Sequence, residues 1–421
     1  MAAKKKGEAG AKATPAWETL ATIKAEDLLR LLTKATKVAS DKVRNCGDVK
    51  LSTSKDNRTI AVVATDMIRA LRAETMAASV EMSKTVLFHP KQATVFLGAI
   101  GNKAQLVTLK LRDDSARMTL ACGPRKLEIA LADTDAMPLT KFPSPDDGEW
   151  CEITPYGLFD LLEGTEWGTS RLDTPVIAIF PDDAAGMLRA EGFDNSALAA
   201  VMRPFVHKGA PMPPHLLLPV VAKSAIDMVS DYAASHEQSV LLRVTDRWFH
   251  VSSVDGSLVV GTVTADGSPS DVSSLVAMEY PWSVRLPRED LAEAIKAAKA
   301  ATSSDGAAST LVLQVTMRGD GKACLSLRAE GSDKASQVTD EVPVLAVNGE
   351  PITEPWAMPG DKLLASIEVA CKIAGGKDPA KEILLCGLNT LDPFRILAAR
   401  EDGTPDPSGL WMLSPLRTQD A

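Results

Sequence analysis

One phrase recurs six times along the chain and limits its fold more than any other feature: a short apolar strand, a proline or small residue, then polar residues opening an amphipathic helix. The copies read ATIKAEDLLRLL, LFHPKQATVFL, EITPYGLFDLL, LPVVAKSAIDMV, VRLPREDLAEAI and WAMPGDKLLASI. Their pivots are Ala25, Pro90, Pro155, Ala222, Pro287 and Pro359, spaced by 65, 65, 67, 65 and 72 residues. A period this steady means one supersecondary unit used repeatedly. Proline suits the pivot because the first helical position has no partner for its N–H and needs the φ that proline already holds.

After each helix the apolar spacing falls from about 3.6 residues to about two, the change from helix to strand. Examples are TIAVVATDMIRALRAE (59–74), ARMTLACGPRKLEIALA (116–132) and VLLRVTDRWFHVSSVDGSLVVGTV (240–263). Turn signals such as Asp255-Gly256 and Asp320-Gly321 indicate antiparallel hairpins. Each repeat therefore reads β-α-β-β-β. A unit of about 65 residues buries its own core poorly, so units should pair. The expectation is an α+β chain of three domains, 16–145, 146–279 and 280–421, after a Lys-rich tail over 1–15. The junctions KFPSPDDGEW and TADGSPSDVSSLV have the composition of linkers.

The motifs of catalysis are missing. There is no GxxxxGK[ST], no GxGxxG opening a helix, no GxSxG and no HExxH. His89, His207, His215, His236 and His250 fall at unrelated points of the repeat. Six cysteines are scattered without a CxxC pair, which points to reduced, buried thiols in a cytoplasmic protein rather than to a disulfide frame or a zinc site. No apolar run is long enough to span a membrane, and the tail lacks the apolar core of a signal peptide. No cofactor, metal or catalytic residue is expected.

Basic side chains gather on the helices. Arg30, Lys34 and Lys37 share one face of the first, Lys91 and Lys103 belong to the second, and Lys223 to the fourth. Arg288, Lys296 and Lys299 share a face of the fifth, and Lys362 and Lys372 lie on the sixth, whereas the third is acidic, with Asp160, Glu163 and Glu166. Proteins that grip DNA through phosphates are usually basic, yet the net charge here is −9. Pseudo-symmetric units that close into a ring resolve the conflict. Equivalent helices would line the hole, and a topologically linked ring needs only weak, non-specific phosphate contacts.

Within this framework the sequence resembles the bacterial sliding clamp, the beta subunit of the replicative polymerase, from about Trp17 to Arg417. The local matches are AVVATDMIRA (61–70), RLDTPVIAIF (171–180) and MLSPLR (412–417), in the family's order and spacing. The resemblance implies a head-to-tail homodimeric ring, helices inside and sheets outside, that encircles duplex DNA without reading its sequence. It also implies a processivity factor rather than an enzyme, one that tethers the replicative DNA polymerase, the clamp loader and other clamp-binding proteins. Residues facing DNA would be Arg30, Lys34, Lys37, Lys91, Lys223, Arg288, Lys296, Lys299 and Lys372, with Lys42 where the family places a DNA-contacting arginine.

The family's peptide-binding cleft carries over to Ile177, Phe193, Asn195, Leu198, Pro269, Leu275, Met358, Ile396, Ser414, Pro415, Leu416 and Arg417. On that basis, truncation after Leu410 should abolish partner binding and leave the ring intact. Ser273-Ser274 stand where the family has an Arg pair, Asn195 where it has glycine, and Ala300-Ala301 where it has larger apolar dimer contacts; TQDA extends past its usual end. The alternative reading is a clamp-like protein-interaction scaffold that does not encircle DNA, which the acidic third helix and the small interface residues would suit.

Overall fold

The computed structural model describes residues 16–416 except 139–141, 145, 147, 170–174, 210–211, 246, 303–309, 320, 331–336 and 377. The tail over 1–15 and Arg417 lie outside the described residues.

Six β-α-β-β-β repeats follow one another. The first is β1 (Trp17–Lys24), α1 (Ala25–Thr36), β2 (Val49–Ser54), β3 (Thr59–Thr65) and β4 (Arg69–Met76). The second adds a short β5 (Ser79–Val80) before β6 (Lys84–Phe88), α2 (Pro90–Gly98), β7 (Leu106–Arg112), β8 (Arg117–Cys122) and β9 (Arg125–Ala130). The third is β10 (Cys151–Ile153), α3 (Pro155–Glu166), β11 (Val176–Asp182), β12 (Met187–Phe193) and β13 (Ala197–Val206). The fourth is β14 (Leu216–Pro219), α4 (Lys223–Ser235), β15 (Val240–Thr245), β16 (Trp248–Ser253) and β17 (Leu258–Val263), followed by the short α5 (Ser273–Val276). The fifth is β18 (Trp282–Pro287), α6 (Arg288–Thr302), β19 (Thr310–Met317), β20 (Ala323–Glu330) and β21 (Gln337–Pro343). The sixth is β22 (Ala346–Asn348), β23 (Trp356–Pro359), α7 (Gly360–Gly375), β24 (Glu382–Gly387), β25 (Phe394–Ala398) and β26 (Gly409–Leu413).

The pivots mark the helix starts with one refinement. Pro90 and Pro155 open α2 and α3, as the missing N–H argument requires. Pro287 and Pro359 instead end β18 and β23, one residue before α6 and α7 begin, so there proline closes a strand. Thr154 caps α3 with a 3.0 Å bond from the Gly157 N–H to its Oγ1.

The chain divides into two compact units, Met1–Asp147 with His250–Thr262, and Gly148–Phe249 with Val263–Ala421. In the first unit one antiparallel sheet runs β5-β1-β7-β8-β9. A second runs β6-β2-β3-β4-β17. Burial alternates residue by residue along β2 and β7, and α1 buries Leu28, Leu31, Leu32 and Ala35, a stripe of helical spacing, where it packs on α2 and on strands of both sheets.

In the second unit one continuous antiparallel run is β22-β18-β24-β25-β26-β13-β12-β11-β14. A four-stranded sheet runs β21-β20-β19-β23. Helix α3 packs on α4 and α7, and α6 on α7. Gly168 and Gly192 lie where the turn after α3 meets β12 backbone to backbone, and a Cβ on either would strike a carbonyl oxygen. Trp356 stacks on Phe394 at 5.0 Å, with Trp282 beside both. All six cysteines are buried free thiols. Among the described residues no helix is long and apolar enough to cross a membrane.

Candidate functional site

The turn between β12 and β13 in the second unit is held by a dense set of hydrogen bonds. Asn195 occupies the left-handed region, φ 66°, which costs a non-glycine residue free energy unless its surroundings hold it there. Asp194 provides the hold. Its Oδ1 accepts from the Ser196 N–H at 3.1 Å, the Ser196 hydroxyl at 2.8 Å and the Ala197 N–H at 2.9 Å. Its Oδ2 accepts from Lys362 Nζ at 2.9 Å, and the same ammonium donates to Ser196 Oγ at 2.9 Å. The Asp194 side chain is 0% exposed and that of Lys362 12%. Burial alone would raise the Asp194 carboxyl, but the bonds from Lys362 and Ser196 outweigh it and hold the group below its usual range.

Beyond the turn, β13 pairs with β26 so that Leu198 faces Met412. These two and Val272 form an apolar cluster on which Phe193, Leu275, Val276, Tyr280 and Leu410 pack half-buried. Asp271 accepts from the Ser273 N–H at 3.1 Å and so starts the turn of α5 that delivers Val272 and Leu275. Arg395 lies 4.6 Å from the Tyr280 ring centre and donates to the carbonyls of Val276 and Met278, pinning the other end of that segment. A pocket of about 100 Å³ opens beside the cluster, lined by Val176, Ala178, Glu191, Phe193, Pro269 and Val272 among others. Burial raises the Glu191 carboxyl against the pull of Arg189.

Phe193, Leu198, Pro269 and Leu275 thus come together, with Asn195 exposed at the turn tip. Ser414, Pro415 and Leu416 continue half-buried from β26, where the Ser414 N–H donates to Ser196 O at 2.9 Å and the Leu416 N–H to Ala357 O at 2.8 Å. Ile177, Met358 and Ile396 are not on this surface. They are 1%, 0% and 0% exposed, in the core. Alternation along β11 gives the pocket Val176 and Ala178 and sends Ile177 to the other face. Val272, Val276, Tyr280, Leu410 and Met412 are further members that the resemblance does not supply.

The basic candidates divide sharply between the units. In the first, Arg30 is bonded to Asp27 at 2.8 Å. Lys34 is half-buried and pushed down to about 8, by burial first and then by Arg30 and Lys37, against the opposing pull of Asp255. Lys37, Lys42 and Lys91 are exposed. Lys103 donates to the carbonyls of Leu97 and Gly98 and closes the end of α2.

In the second unit every basic candidate meets a carboxylate. Lys223 lies 3.0 Å from Asp227 and 3.8 Å from Glu166, Lys296 lies 3.2 Å from Glu368, and Lys372 lies 2.7 Å from Glu163. Lys299 is bonded to Asp361, and Arg288 lies 3.3 Å from Glu289. Burial raises Asp160 even though Arg203 sits 2.9 Å from it. Among the described residues no group of three or more His, Cys, Asp and Glu side chains is placed to hold a metal ion.

No protein-family model matches the chain and no curated protein sequence matches it. Its likeness is to solved structures. The DNA polymerase sliding clamp from Caulobacter crescentus superposes with a TM-score of 0.78 at 16% identity, over 95% of this chain and 100% of that one. The DNA polymerase III subunit beta from Pseudomonas aeruginosa gives 0.77 at 14% identity, over 94% and 99%. The beta subunit from Thermotoga maritima gives 0.76 at 16% identity, over 95% and 100%. The fold is that of the bacterial sliding clamps.

Proposed function

We propose that the chain is a DNA sliding clamp, a processivity factor and not an enzyme, which forms a homodimeric ring around duplex DNA and tethers a replicative polymerase, a clamp loader and other replication or repair proteins. The observation that carries this reading is the run of six β-α-β-β-β repeats in the clamp fold over nearly the whole chain. Paired, the repeats make the three domains 16–145, 146–279 and 280–421.

Head-to-tail closure has candidate edges. β9 and β21 each end a sheet; β9 exposes Arg125, Lys126 and Glu128, a net positive strand, where β21 exposes Asp340 and Glu341. Strands of opposite charge can extend one sheet across a subunit boundary and remove both open edges. The test is topological. The protein should stay on a nicked circular duplex after loading and leave it when the circle is cut; a scaffold that merely adheres to DNA or to partners would show no such difference, and retention indifferent to linearisation would refute the ring.

The groove at the β12–β13 turn suits an extended peptide that anchors one or two large apolar side chains beside a few polar fixings. Phe193→Ala with Leu275→Ala should weaken binding of a polymerase-tail peptide by about tenfold or more, since anchor residues each carry above about 1 kcal/mol. Both side chains are only half-buried, so the fold should persist. Calorimetric titration reads the affinity, and an unchanged value would move the peptide site elsewhere.

A further inference from the structure

We propose that each chain grips DNA with one unit only: the phosphates are held by the α1–loop–α2 face of the first unit, while the helices of the second unit present an ion-paired, acidic surface along which DNA passes without being held. This rests on the clamp reading and adds to it a division of labour.

The helices of the second unit, α3, α4, α6 and α7, carry six basic side chains against ten acidic ones, and α3 carries no basic residue. Four of the lysines join one helix to another: Lys223 of α4 to Glu166 of α3, Lys372 of α7 to Glu163 of α3, and Lys296 and Lys299 of α6 to Glu368 and Asp361 of α7. Lys223 and Lys372 also flank the Phe159 ring, at 5.3 and 5.1 Å. A lysine so engaged must break its ion pair before it can neutralise a phosphate, and the released carboxylate then repels the same phosphate within a Debye length of about 8 Å. The net attraction of such a surface for DNA is close to nothing or repulsive.

The first unit is built the other way. α1 with its cap residue Lys37, together with α2, carries four basic side chains against two acidic ones, and both acids, Glu26 and Asp27, lie in the first turn of α1. The loop after α1 adds Lys42 and Arg44, both exposed, beside Asp41 and Asp48, so that α1, its loop and α2 together carry six basic side chains against four acidic ones. Asp41 of that loop touches His89 Nε2 at 3.1 Å, and His89 caps α2 just ahead of Lys91. One contact therefore brings the Lys42 loop to the start of the helix that bears Lys91. Lys37, Lys42, Arg44 and Lys91 take part in none of the ion pairs among the described residues, so their charge is available at once. A grip confined to one unit also fits a chain of net charge −9 that must move along DNA rather than stick to it.

Two triple variants separate the surfaces: Lys37→Gln/Lys42→Gln/Lys91→Gln and Lys296→Gln/Lys299→Gln/Lys372→Gln. Each is titrated against a short, fluorescent, mixed-sequence duplex over a range of salt concentrations. The first should bind at least tenfold more weakly and lower the slope of log K against log salt by about 0.9 for each phosphate that is no longer neutralised. The second removes no neutralised phosphate: it should lose far less slope than the first, the carboxylates it frees should weaken binding less than the first variant does, and it should also show a lower melting temperature, because helix-to-helix ties are gone. Equal reductions of slope in both, or the larger reduction in the second, would overturn the division of labour and leave the clamp reading standing. If the unaltered protein failed to bind the duplex and failed the topological test, both would fall.

Discussion

A chain cut after Leu410 is expected to lose the fold of the second unit, not only its partners. The cut removes Trp411, Met412 and Leu413, which are 1%, 2% and 0% exposed. It also removes β26 from between β13 and β25, leaving two strands with unpaired edges inside a sheet. Trp411 further donates through Nε1 to Gly164 O at 3.0 Å, tying the strand to α3. Losing a buried tryptophan costs about 3–5 kcal/mol and a buried leucine or methionine about 2–5 kcal/mol each, against a whole stability of about 5–15 kcal/mol. A cut after Ser414 keeps β26 and gives up Pro415, Leu416 and one backbone bond to Ala357, with a cost of about 1 kcal/mol for that bond. Thermal unfolding of both truncations checks this: the longer should melt near the full chain and bind the polymerase-tail peptide poorly, and the shorter should not give a cooperative transition at the same temperature. If the shorter form melted like the full chain, β26 would not be the interior strand described above.

That result would correct what the amino-acid sequence suggests, because MLSPLR resembles a detachable family ending while its first two residues are core. Periodicity makes the repeat legible: each pivot lies at, or one residue before, the first residue of a helix, and the three alternating segments fall on hairpin strands. Register is not legible at the same precision. The resemblance carries Ile177 to the cleft, yet Ile177 is buried while its neighbours Val176 and Ala178 line the pocket, and because a strand alternates every residue, a shift of one position reverses the facing. The SPSDVSSLV stretch has the composition of a linker, yet Asp271 turns it into α5, and the short helix delivers two apolar side chains to the groove.

Ion pairing is the least legible of all. A stripe of Lys296 and Lys299 on a helical wheel looks like free charge until the fold sets α7 beside it. Lys372 and Glu163 are 209 residues apart, and Lys362 and Asp194 are 168. Separations of that size have no local signature, so a basic residue and its neutralising partner can be matched only after the topology is known.

The pair between Asp194 and Lys362 leads to the second large effect. Asp194→Ala should destabilise the second unit by about 3–5 kcal/mol, the usual consequence of removing one member of a buried pair and leaving the other charge without compensation. The same change releases the Ser196 and Ala197 N–H groups and with them the left-handed Asn195, so groove affinity for the peptide should fall even where the protein remains folded. Replacing both members with apolar residues, Asp194→Leu with Lys362→Met, should recover part of the lost stability but not the groove, since stability depends on uncompensated charge and the groove on the turn.

Acid adds an independent reading of the pair. The Asp194 carboxyl is held below its ordinary value of about 3.9, so its contribution is complete above that pH and is lost as pH falls through its folded value. Asp160 and Glu191 are raised by burial and act with the opposite sign: ionised in the fold they oppose stability near neutrality, and protonation relieves them. On descent from about pH 7 to pH 3, the unaltered protein should therefore hold its melting temperature or rise slightly before it drops, and Asp194→Asn should start lower and show a smaller final drop, since Asp271, Asp114 and Asp402, also held low, still titrate. Curves that fell in parallel through the lowest pH would mean that the carboxylate titrates as if in water, and a water-exposed Asp194 could not be what fixes the turn.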